Sequence, residues 1–449
     1  MYKRIYENKE EFKNLGKNQQ FILQRIRVYL NPLLLVLHQK MDVRLVNTFY
    51  DAFVSLLVNR NRPKGLVISE LGGWLLGFEK AIAGTKRLFT LFESEKWVKE
   101  DLENFQIKRC QSYIEDLKSK GKEVLGIIDD STIEKSESWF SEGLCSVHSG
   151  KGQRLTRIKP GYYKRPVGRI CVPGFEWSAL LISGIGLIPM VGLMQWWTKR
   201  GMACDSRDNV FYKMLKKIKQ VFQTSLILVF DRGFAHANTL EKLFKWEQFF
   251  IIRWKSSHVL TNKAGISKNT WRICHQQKAF DKRIIWDKNR QKNLKIEMIF
   301  TPVTHPEFPN NPLFLIVIRN KTIKGQQPLY LLTNTAIINK QQAWKIFFSY
   351  MQRWDIEQAF HFNKAEIGIE SICVRIWNKK LKILALVALV FEFILALWRN
   401  WNTAARCLMR KYAHLKGTKA INFRLPLFRL RRALMAILIF ITTYASSLQ

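Results

Sequence analysis

The sequence is short of acidic residues and of paired cysteines, and it lacks several motifs that identify common protein classes. Its seven cysteines are an odd number with no Cys-x-x-Cys pair, so we expect unbridged thiols in a reducing compartment. Clusters of His and Cys with the spacing of zinc ligands are absent. The chain has no Gly-x-x-x-x-Gly-Lys loop, which argues against an ATPase, and its first residues lack the apolar core of a signal peptide.

The shortage of acidic residues leaves a large positive charge. The 449 residues include 73 Lys and Arg against 35 Asp and Glu, which gives a formal net charge of +38 and a pI near 10.1. Such a field favours a polyanion as partner. Nucleic acid is the commonest polyanion, and an anionic membrane surface is the alternative. Hydrophobic residues make up 47% of the chain, so most of it should fold, as two or three domains.

Two long apolar runs raise the question of a membrane. The run from Trp177 to Trp197 has no charged residue, but three glycines and Pro189 interrupt it, which predicts two adjacent strands joined by a turn. The run from Ile383 to Trp398 has a helical pattern and contains Glu392. It is short for a membrane span and predicts a buried core helix. We therefore expect no membrane partner.

Two apolar strands are predicted to end in acidic residues. The first runs from Glu123 to the pair Asp129 and Asp130, and the second from Ser225 to Asp231. A run that is apolar on both faces suits a central strand of a covered sheet. A predicted helix at 235–245 and a strand at 249–254 continue the alternation. The middle of the chain is therefore predicted to have an α/β fold with a mixed sheet.

The residues around this region have other patterns. Residues 1 to about 115 have helical periodicity and scattered basic side chains. They are interpreted equally as a DNA-end-binding region or as a helical cap on the core. Residues 145–175 are polar and basic, which predicts loop and hairpin rather than helix. Residues 255–324 predict a small, mainly β insertion. The residues after 400 predict a basic helical region.

One predicted helix carries a row of polar side chains. It begins at Asn339, an N-cap with Gln342 as reciprocal partner, and ends at Gly368. No Pro or Gly lies between them, so one continuous helix is expected. At about 100° per residue, four side chains fall within roughly 60° of one another. They are Tyr350, Arg353, Glu357 and Lys364.

This row has two interpretations. Arg353 and Glu357 are four residues apart and could form a surface salt bridge. However, the flanking residues are apolar on several sides of the helix, which predicts a buried helix whose charges have a function. The flanking apolar residues are Trp354, Ile356, Phe360 and Phe362.

Carboxylates from two strand ends and one helix can meet at the same edge of a sheet. An all-oxygen set of this kind suits Mg²⁺, for which Mn²⁺ can substitute. Two such ions about 3.5–4 Å apart can activate a nucleophile and stabilise a leaving oxygen in phosphodiester cleavage.

The sequence resembles a known family, the DDE transposases of bacterial insertion sequences. The resemblance is to the cut-and-paste subgroup with the signature Tyr-x2-Arg-x3-Glu-x6-Lys, which Tyr350, Arg353, Glu357 and Lys364 match without a gap. Three further blocks are similar to family patterns. They are Asp129-Asp130-Ser131-Thr132, Val229-Phe230-Asp231-Arg232-Gly233-Phe234, and the strand end Arg253-Trp254-Lys255.

The resemblance implies a ribonuclease H-like core that is split by a β insertion before the Glu helix. It also implies double-stranded DNA at transposon ends and targets as partner, a homodimer on DNA, and a location on the bacterial nucleoid in the cytoplasm. The implied domains are 1–115 (end binding), 116–256 (core, first part), 257–328 (insertion), 329–400 (core, second part) and 401–449 (basic helical region, dimerisation).

The resemblance assigns roles to individual residues. Asp130, Asp231 and Glu357 would hold two Mg²⁺ for cutting the transposon end and joining its 3′-hydroxyl to target DNA, in some relatives through a hairpin. Arg353, with Tyr350 and Lys364, would grip phosphates near the cut. Further implied DNA contacts are Arg253, Lys255 and Tyr330, a candidate for stacking a flipped base for which Trp286 is the alternative.

Several questions stay open at the level of sequence. Asp129 and Asp130 are neighbours in a strand and point to opposite faces, so only one can be the main ligand. The family pattern favours Asp130. No helix-turn-helix signature identifies the end-binding element. Two other functions remain as alternatives: an inactive DNA-binding relic of a transposase, and a structure-selective nuclease that cuts without joining.

Overall fold

The structure is a computed structural model that describes residues 9–59, 66–135, 140–155, 168–223, 226–275, 277–287, 292–323, 325–413 and 424–444. Mixed α/β architecture is evident from fourteen helices and twelve strands in this part of the chain. The helices are α1 (Lys9–His38), α2 (Val43–Val58), α3 (Ile68–Leu76), α4 (Ala81–Glu93), α5 (Lys99–Ser119), α6 (Gly150–Leu155), α7 (Arg207–Phe222), α8 (Ala237–Lys245), α9 (Thr270–Cys274), α10 (Lys340–Met351), α11 (Trp354–Phe362), α12 (Trp377–Asn400), α13 (Asn402–Tyr412) and α14 (Leu427–Tyr444).

One large mixed sheet contains all the described strands. The strands are β1 (Leu125–Glu134), β2 (Cys145–His148), β3 (Cys171–Ser183), β4 (Met190–Trp197), β5 (Ile227–Phe230), β6 (Phe250–Arg253), β7 (Val259–Asn262), β8 (Ser267–Asn269), β9 (Asp281–Asp287), β10 (Lys292–His305), β11 (Phe308–Asn320) and β12 (Leu329–Thr333). Strand β1 is central. It pairs antiparallel with β3, which carries β4 on its far side, and parallel with β5, which pairs parallel with β6.

Helices cover both faces of this sheet. Successive residues of a strand point to opposite faces, so each central strand contributes side chains to both layers. Ile127 of β1 and Val229 of β5 face a core that they share with α10, α11 and α12. Ile128 and Leu228 face a second core that they share with α5, α7 and α8. This alternation decides which acidic side chains can meet.

The segment predicted as a β insertion is continuous with the same sheet. Strand β12 pairs with β6 on one side and with β11 on the other, and β11 continues through β10 to β7. The insertion strands therefore extend the hydrogen-bonded ladder of the central strands instead of forming a sheet of their own.

Several predicted elements are confirmed. The run from Trp177 to Trp197 forms β3, a turn and β4, and the helix predicted at 235–245 is α8. Asn339 caps α10, since its side chain accepts from the amide of Gln342 at 2.9 Å, and Gly368 ends the helical segment with φ of 77°. Gln342 reaches back to the amide of Ile338, one residue earlier than expected.

Three predictions about local structure are wrong. Strand β1 continues to Glu134, so the two neighbouring aspartates lie inside the strand and not at its tip. Residues 145–175 include the short helix α6, while 156–167 lie outside the described residues. The predicted single helix from Asn339 is divided, because bonds from residue i to i+3 tighten the chain at Gln352 and Arg353 between α10 and α11.

Helix α12 confirms the predicted buried core helix. Among the described residues it is the one helix whose length and composition would allow it to cross a membrane, and its apolar window is fully buried inside the protein. Its Glu392 is 1% exposed. The Glu392 carboxylate accepts from the amide of Val191 at 2.7 Å and from Arg399 at 2.7 Å, and Arg399 also donates to the carbonyl of Pro189 at 2.7 Å. The pair therefore ties α12 to the β3–β4 hairpin.

We expect Glu392→Ala to lower the free energy of unfolding by about 3–5 kcal/mol, because it leaves the buried Arg399 guanidinium without its carboxylate. Urea unfolding followed by circular dichroism measures this change. The control is Glu392→Gln, which retains an acceptor for the Val191 amide and should cost less. Equal stability of Glu392→Ala and the unaltered protein would contradict a structural role for this pair.

Candidate active site

Asp129 and Asp231 lie side by side on one face of the sheet. The parallel register places Ile128 opposite Phe230, so the next residues of the two strands, Asp129 and Asp231, are also neighbours. Both follow residues that face the second core, so both point to the opposite face, where α11 packs. Burial raises the pKa of Asp129 to about 7; Arg353 opposes this rise and the Asp231 carboxylate adds to it.

Asp130 lies on the other face of the sheet, against α7. Its carboxylate accepts from the hydroxyl of Ser178 and from Nε of Arg207, both at 2.7 Å. The Arg207 guanidinium also donates to the carbonyl of Gly233 at 3.3 Å. The structure therefore does not bring Asp130 together with Asp231 and Glu357, which corrects the prediction from the family pattern. Because β1 continues through both aspartates, Asp129 is the one that lies beside Asp231.

Arg353 joins Asp129 to the helix that carries Glu357. Its Nη1 lies 3.2 Å from Oδ2 of Asp129, and its Nη2 donates to Oε1 of Glu357. The Arg353 side chain is 8% exposed and that of Glu357 is 37% exposed. Asp129 and Glu357, which are 228 residues apart in sequence, thus share the buried guanidinium of Arg353. Glu357 retains an open side towards solvent.

The third acidic side chain of this face is partly unsatisfied. Oδ1 of Asp231 is buried and has no hydrogen-bond partner within the described residues. Nη1 of Arg253, at the end of β6, lies 3.8 Å away. Arg253, a predicted DNA contact, therefore lies near Asp231, whose Oδ1 still lacks a hydrogen bond.

The other predicted DNA contacts are distributed unevenly around this site. Tyr350 is 6% exposed, and its ring centre lies 5.9 Å from the Arg353 guanidinium. Burial lowers the pKa of Lys364, whose charged neighbours are Glu370 and Glu134 rather than the three carboxylates. Lys151 and Glu176 also act on Lys364, so the charges around it are not those of the three carboxylates.

Two further predicted contacts lie away from the carboxylates. Lys255 is exposed beyond the end of β6, within charge-interaction range of His236 and His258. Tyr330 packs with the second core, on the face opposite to Asp129. Trp286, the alternative aromatic residue, is 51% exposed on β9.

Helix α11 is less buried than the sequence predicts. Its flanking Ile356 and Phe360 are buried, but Trp354 is 53% exposed. Met351, Trp354, Glu357 and His361 form one solvent-facing row at a spacing of three to four residues. Trp354 and His361 are therefore exposed on the same side of α11 as Glu357.

The site has the chemistry for divalent metal without a preformed metal cage. The three carboxylates, including the unpartnered oxygen of Asp231, are oxygen donors of the kind that Mg²⁺ prefers. Among the described residues, however, no group of three His, Cys, Asp or Glu side chains is close enough to hold an ion. Arg353 occupies the space between Asp129 and Glu357 in this arrangement.

The chain is similar to a known protein family and to a solved structure. Residues 204–392 match a family model described as transposase DDE domain. No curated protein matches the chain. The cryo-EM structure of a piggyBac transposase synaptic complex with hairpin DNA is similar with a TM-score of 0.42 and 11% sequence identity, over 90% of this chain and 73% of that one. A score of this size establishes no common fold.

The matched region contains Asp231 and the whole of α11 with Glu357, and it begins after β1. Arg207, the partner of Asp130, lies in this region but carries no motif that sequence reasoning could have used. The stretch from residue 204 to residue 392 is thus similar to the DDE domain of transposases.

Proposed function

We propose that the chain is a DDE transposase that cuts DNA at transposon ends and joins the freed 3′-hydroxyl to target DNA. The observation that carries this proposal is the position of Asp129 beside Asp231 and its link to Glu357 through Arg353, with Asp231 and Glu357 inside the region similar to the transposase DDE domain. The spacing of Tyr350 and Arg353 before Glu357 supports membership of the insertion-sequence subgroup.

The order of the central strands supports a ribonuclease H-like core. An antiparallel pair, β3 and β4, lies on one side of β1, and two parallel strands, β5 and β6, lie on the other. The C-terminal ends of parallel strands meet at one sheet edge, which is where ligands bind in open α/β sheets. Asp231 follows the end of β5, and Asp129 lies in β1 just beyond the last residue that pairs with β5.

In the proposed mechanism Asp129, Asp231 and Glu357 would hold two Mg²⁺, or Mn²⁺ in its place. When bound there, such ions would supply activation of the attacking water and stabilisation of the leaving oxygen. Arg353 balances the charge of Asp129 and Glu357, and with Arg253 it presents guanidinium groups that suit phosphate oxygens. Covalently closed ends among the products of cutting would indicate that the reaction passes through a hairpin intermediate.

The partner in this proposal is double-stranded DNA, bound by a homodimer in the bacterial cytoplasm. A formal charge of +38 gives DNA binding a strong electrostatic component. We expect the affinity for duplex DNA to fall by about 10³-fold or more between 50 and 200 mM salt, since each neutralised phosphate releases counterions. Fluorescence anisotropy with a labelled duplex measures this dependence. An affinity that is independent of salt would contradict it.

The direct test is a cleavage and joining assay with the chain's own DNA ends. The DNA flanking the reading frame supplies the substrate, and short inverted repeats bordered by a direct duplication would identify the ends. With Mg²⁺ we expect nicked ends and then joined products. Cutting without joined or hairpin species would instead indicate a nuclease, and end binding without cutting would indicate an inactive relic.

Trp354 provides a further test, because it is exposed beside Glu357. We expect Trp354→Ala to lower the rate of end cleavage by about 10-fold or more, since stacking a base on an aromatic ring is worth about 1–3 kcal/mol. Trp354→Phe should retain most of the rate. Trp271→Ala removes a ring that is 41% exposed in the insertion and serves as the control. Equal rates for the two alanine variants would contradict a role for Trp354.

A further inference from the structure

Helix α11, which carries Glu357, is not positioned by the helix before it. A tightened turn at Gln352 and Arg353 separates it from α10. At its other end five residues form a π-helical turn, Asn363–Ile367, before Gly368. Irregular backbone at both ends means that the orientation of α11 depends on the contacts of its own side chains and carbonyls.

The first of these contacts comes from the C-terminal segment, residues 424–444. Arg424 grips the carboxylate of Asp355 with both guanidinium ends; one of the two contacts is 2.7 Å long. The Asp355 side chain is fully buried. Arg424 also donates to the carbonyl of Leu187 in the β3–β4 turn, and its own carbonyl accepts from Nε1 of Trp398 at 2.8 Å. Arg424 therefore links Asp355 to the β3–β4 turn through its guanidinium and to α12 through its backbone carbonyl.

The second contact is made by Arg431 of α14, which is 1% exposed. Its guanidinium donates to the carbonyl of Glu366 in the π-helical turn. It also donates to the last carbonyls of α2, at Leu56 (3.0 Å) and Leu57 (3.4 Å). One buried arginine thus joins the end of the Glu357 segment to the N-terminal helices.

From these contacts we propose that residues 424–444 act as a clamp that positions Glu357. Arg424 holds the segment two residues before Glu357, and Arg431 holds it nine residues after. The inference rests on the proposed function, since it concerns the alignment of the Glu357 carboxylate with Asp129 and Asp231. It adds a role to this region, for which the sequence predicts dimerisation, and the apolar face of α14 packs within the chain against α1, α2 and α13.

A bidentate pair gives the clamp its geometric precision. An Arg–carboxylate fork fixes both distance and plane, which a single hydrogen bond does not. A buried pair of this kind contributes little net stability compared with a neutral pair of similar shape. Its effect should therefore be seen in the placement of α11 and in the chemical step, and less in the melting temperature or in DNA affinity.

The experiment uses the double variant Asp355→Asn/Arg424→Gln in the full chain, which removes the fork without leaving a buried unpaired charge. The control is Arg410→Gln, which removes an exposed arginine from α13. We expect amides of residues 354–367 to exchange with deuterium about 10-fold faster in the double variant only. We also expect end cleavage to fall about 100-fold, since a displacement of 1 Å can cost that much, with DNA affinity within about twofold. The single variant Arg424→Lys, which keeps a positive charge beside Asp355, should cleave faster than the double variant.

Unchanged exchange in a folded double variant would overturn the proposal, whether or not cleavage is lost. Cleavage at the unaltered rate would overturn it as well. The exchange experiment does not depend on transposition. If the unaltered protein cuts no DNA, the proposed function fails, and the protection of residues 354–367 still decides whether the clamp exists.

Discussion

Asp129→Asn should abolish metal-dependent end cleavage, whereas Asp130→Asn should leave it within about tenfold of the unaltered rate. The physical reason is the sheet register, which places Asp129 beside Asp231 and turns Asp130 to the other face. Removing one carboxylate from a two-metal site costs several kcal/mol of transition-state stabilisation, which corresponds to a rate loss of about 10³-fold or more.

The two variants are matched, because they differ only in which of two neighbouring carboxylates becomes an amide. Both should bind transposon-end DNA with ordinary affinity, as measured by anisotropy. Titration with Mn²⁺ adds a second readout, since loss of a ligand raises the metal concentration needed for half-maximal rate. If Asp130→Asn is the inactive variant and Asp129→Asn is active, the family pattern identifies the ligand correctly and β1 must shift by one residue in the active complex.

Glu357→Gln is expected to reduce end cleavage by about 10³-fold or more and to leave folding and DNA binding intact. Glu357 keeps an open side towards solvent although Arg353 contacts it, so its carboxylate remains accessible to a bound ion. If the pair were only a salt bridge, both Arg353→Gln and Glu357→Gln would lower the melting temperature and neither would affect the cleavage rate of the folded fraction.

Rates of cleavage and melting temperatures for Arg353→Gln, Glu357→Gln and Glu241→Gln distinguish these cases. Glu241 is an exposed residue of α8 and its variant is the control. Arg353→Gln should differ from Glu357→Gln by slowing cleavage less, since Arg353 does not supply a ligand. Full activity of Glu357→Gln would remove Glu357 from the site.

Much of the fold could be predicted because its signals are local. The cap at Asn339, the stop at Gly368 and the interrupted apolar run after Trp177 each depend on residues within one turn or one hairpin. The strand that ends at Asp231 is also marked by its own apolar run. These features require only backbone conformation and hydrophobic pattern.

The site was only partly predictable because its decisive contacts are not local. The face to which Asp129 points depends on how far β1 extends and on its pairing with β5. The break before α11 has no proline or glycine to announce it, and it turns Trp354 outward instead of into the core. The roles of Arg207 and Arg424 depend on partners more than fifty residues away.

Residues near the two ends of the chain contact each other, so these contacts form only after almost the whole chain has been synthesised. The side chain of Asn18 donates to the hydroxyl of Tyr412 at 2.8 Å across 394 residues, and Arg431 reaches Leu56 across 375 residues. At about 5–20 residues per second, about 20–80 s pass between synthesis of these partners. The parts of α1 and α2 that pack against the C-terminal helices stay uncovered for that time, whereas α3, α4 and α5 pack on other parts of these two helices and follow them directly in the chain. Chaperones that shield exposed apolar helices should therefore increase the yield of the full chain more than slower translation does.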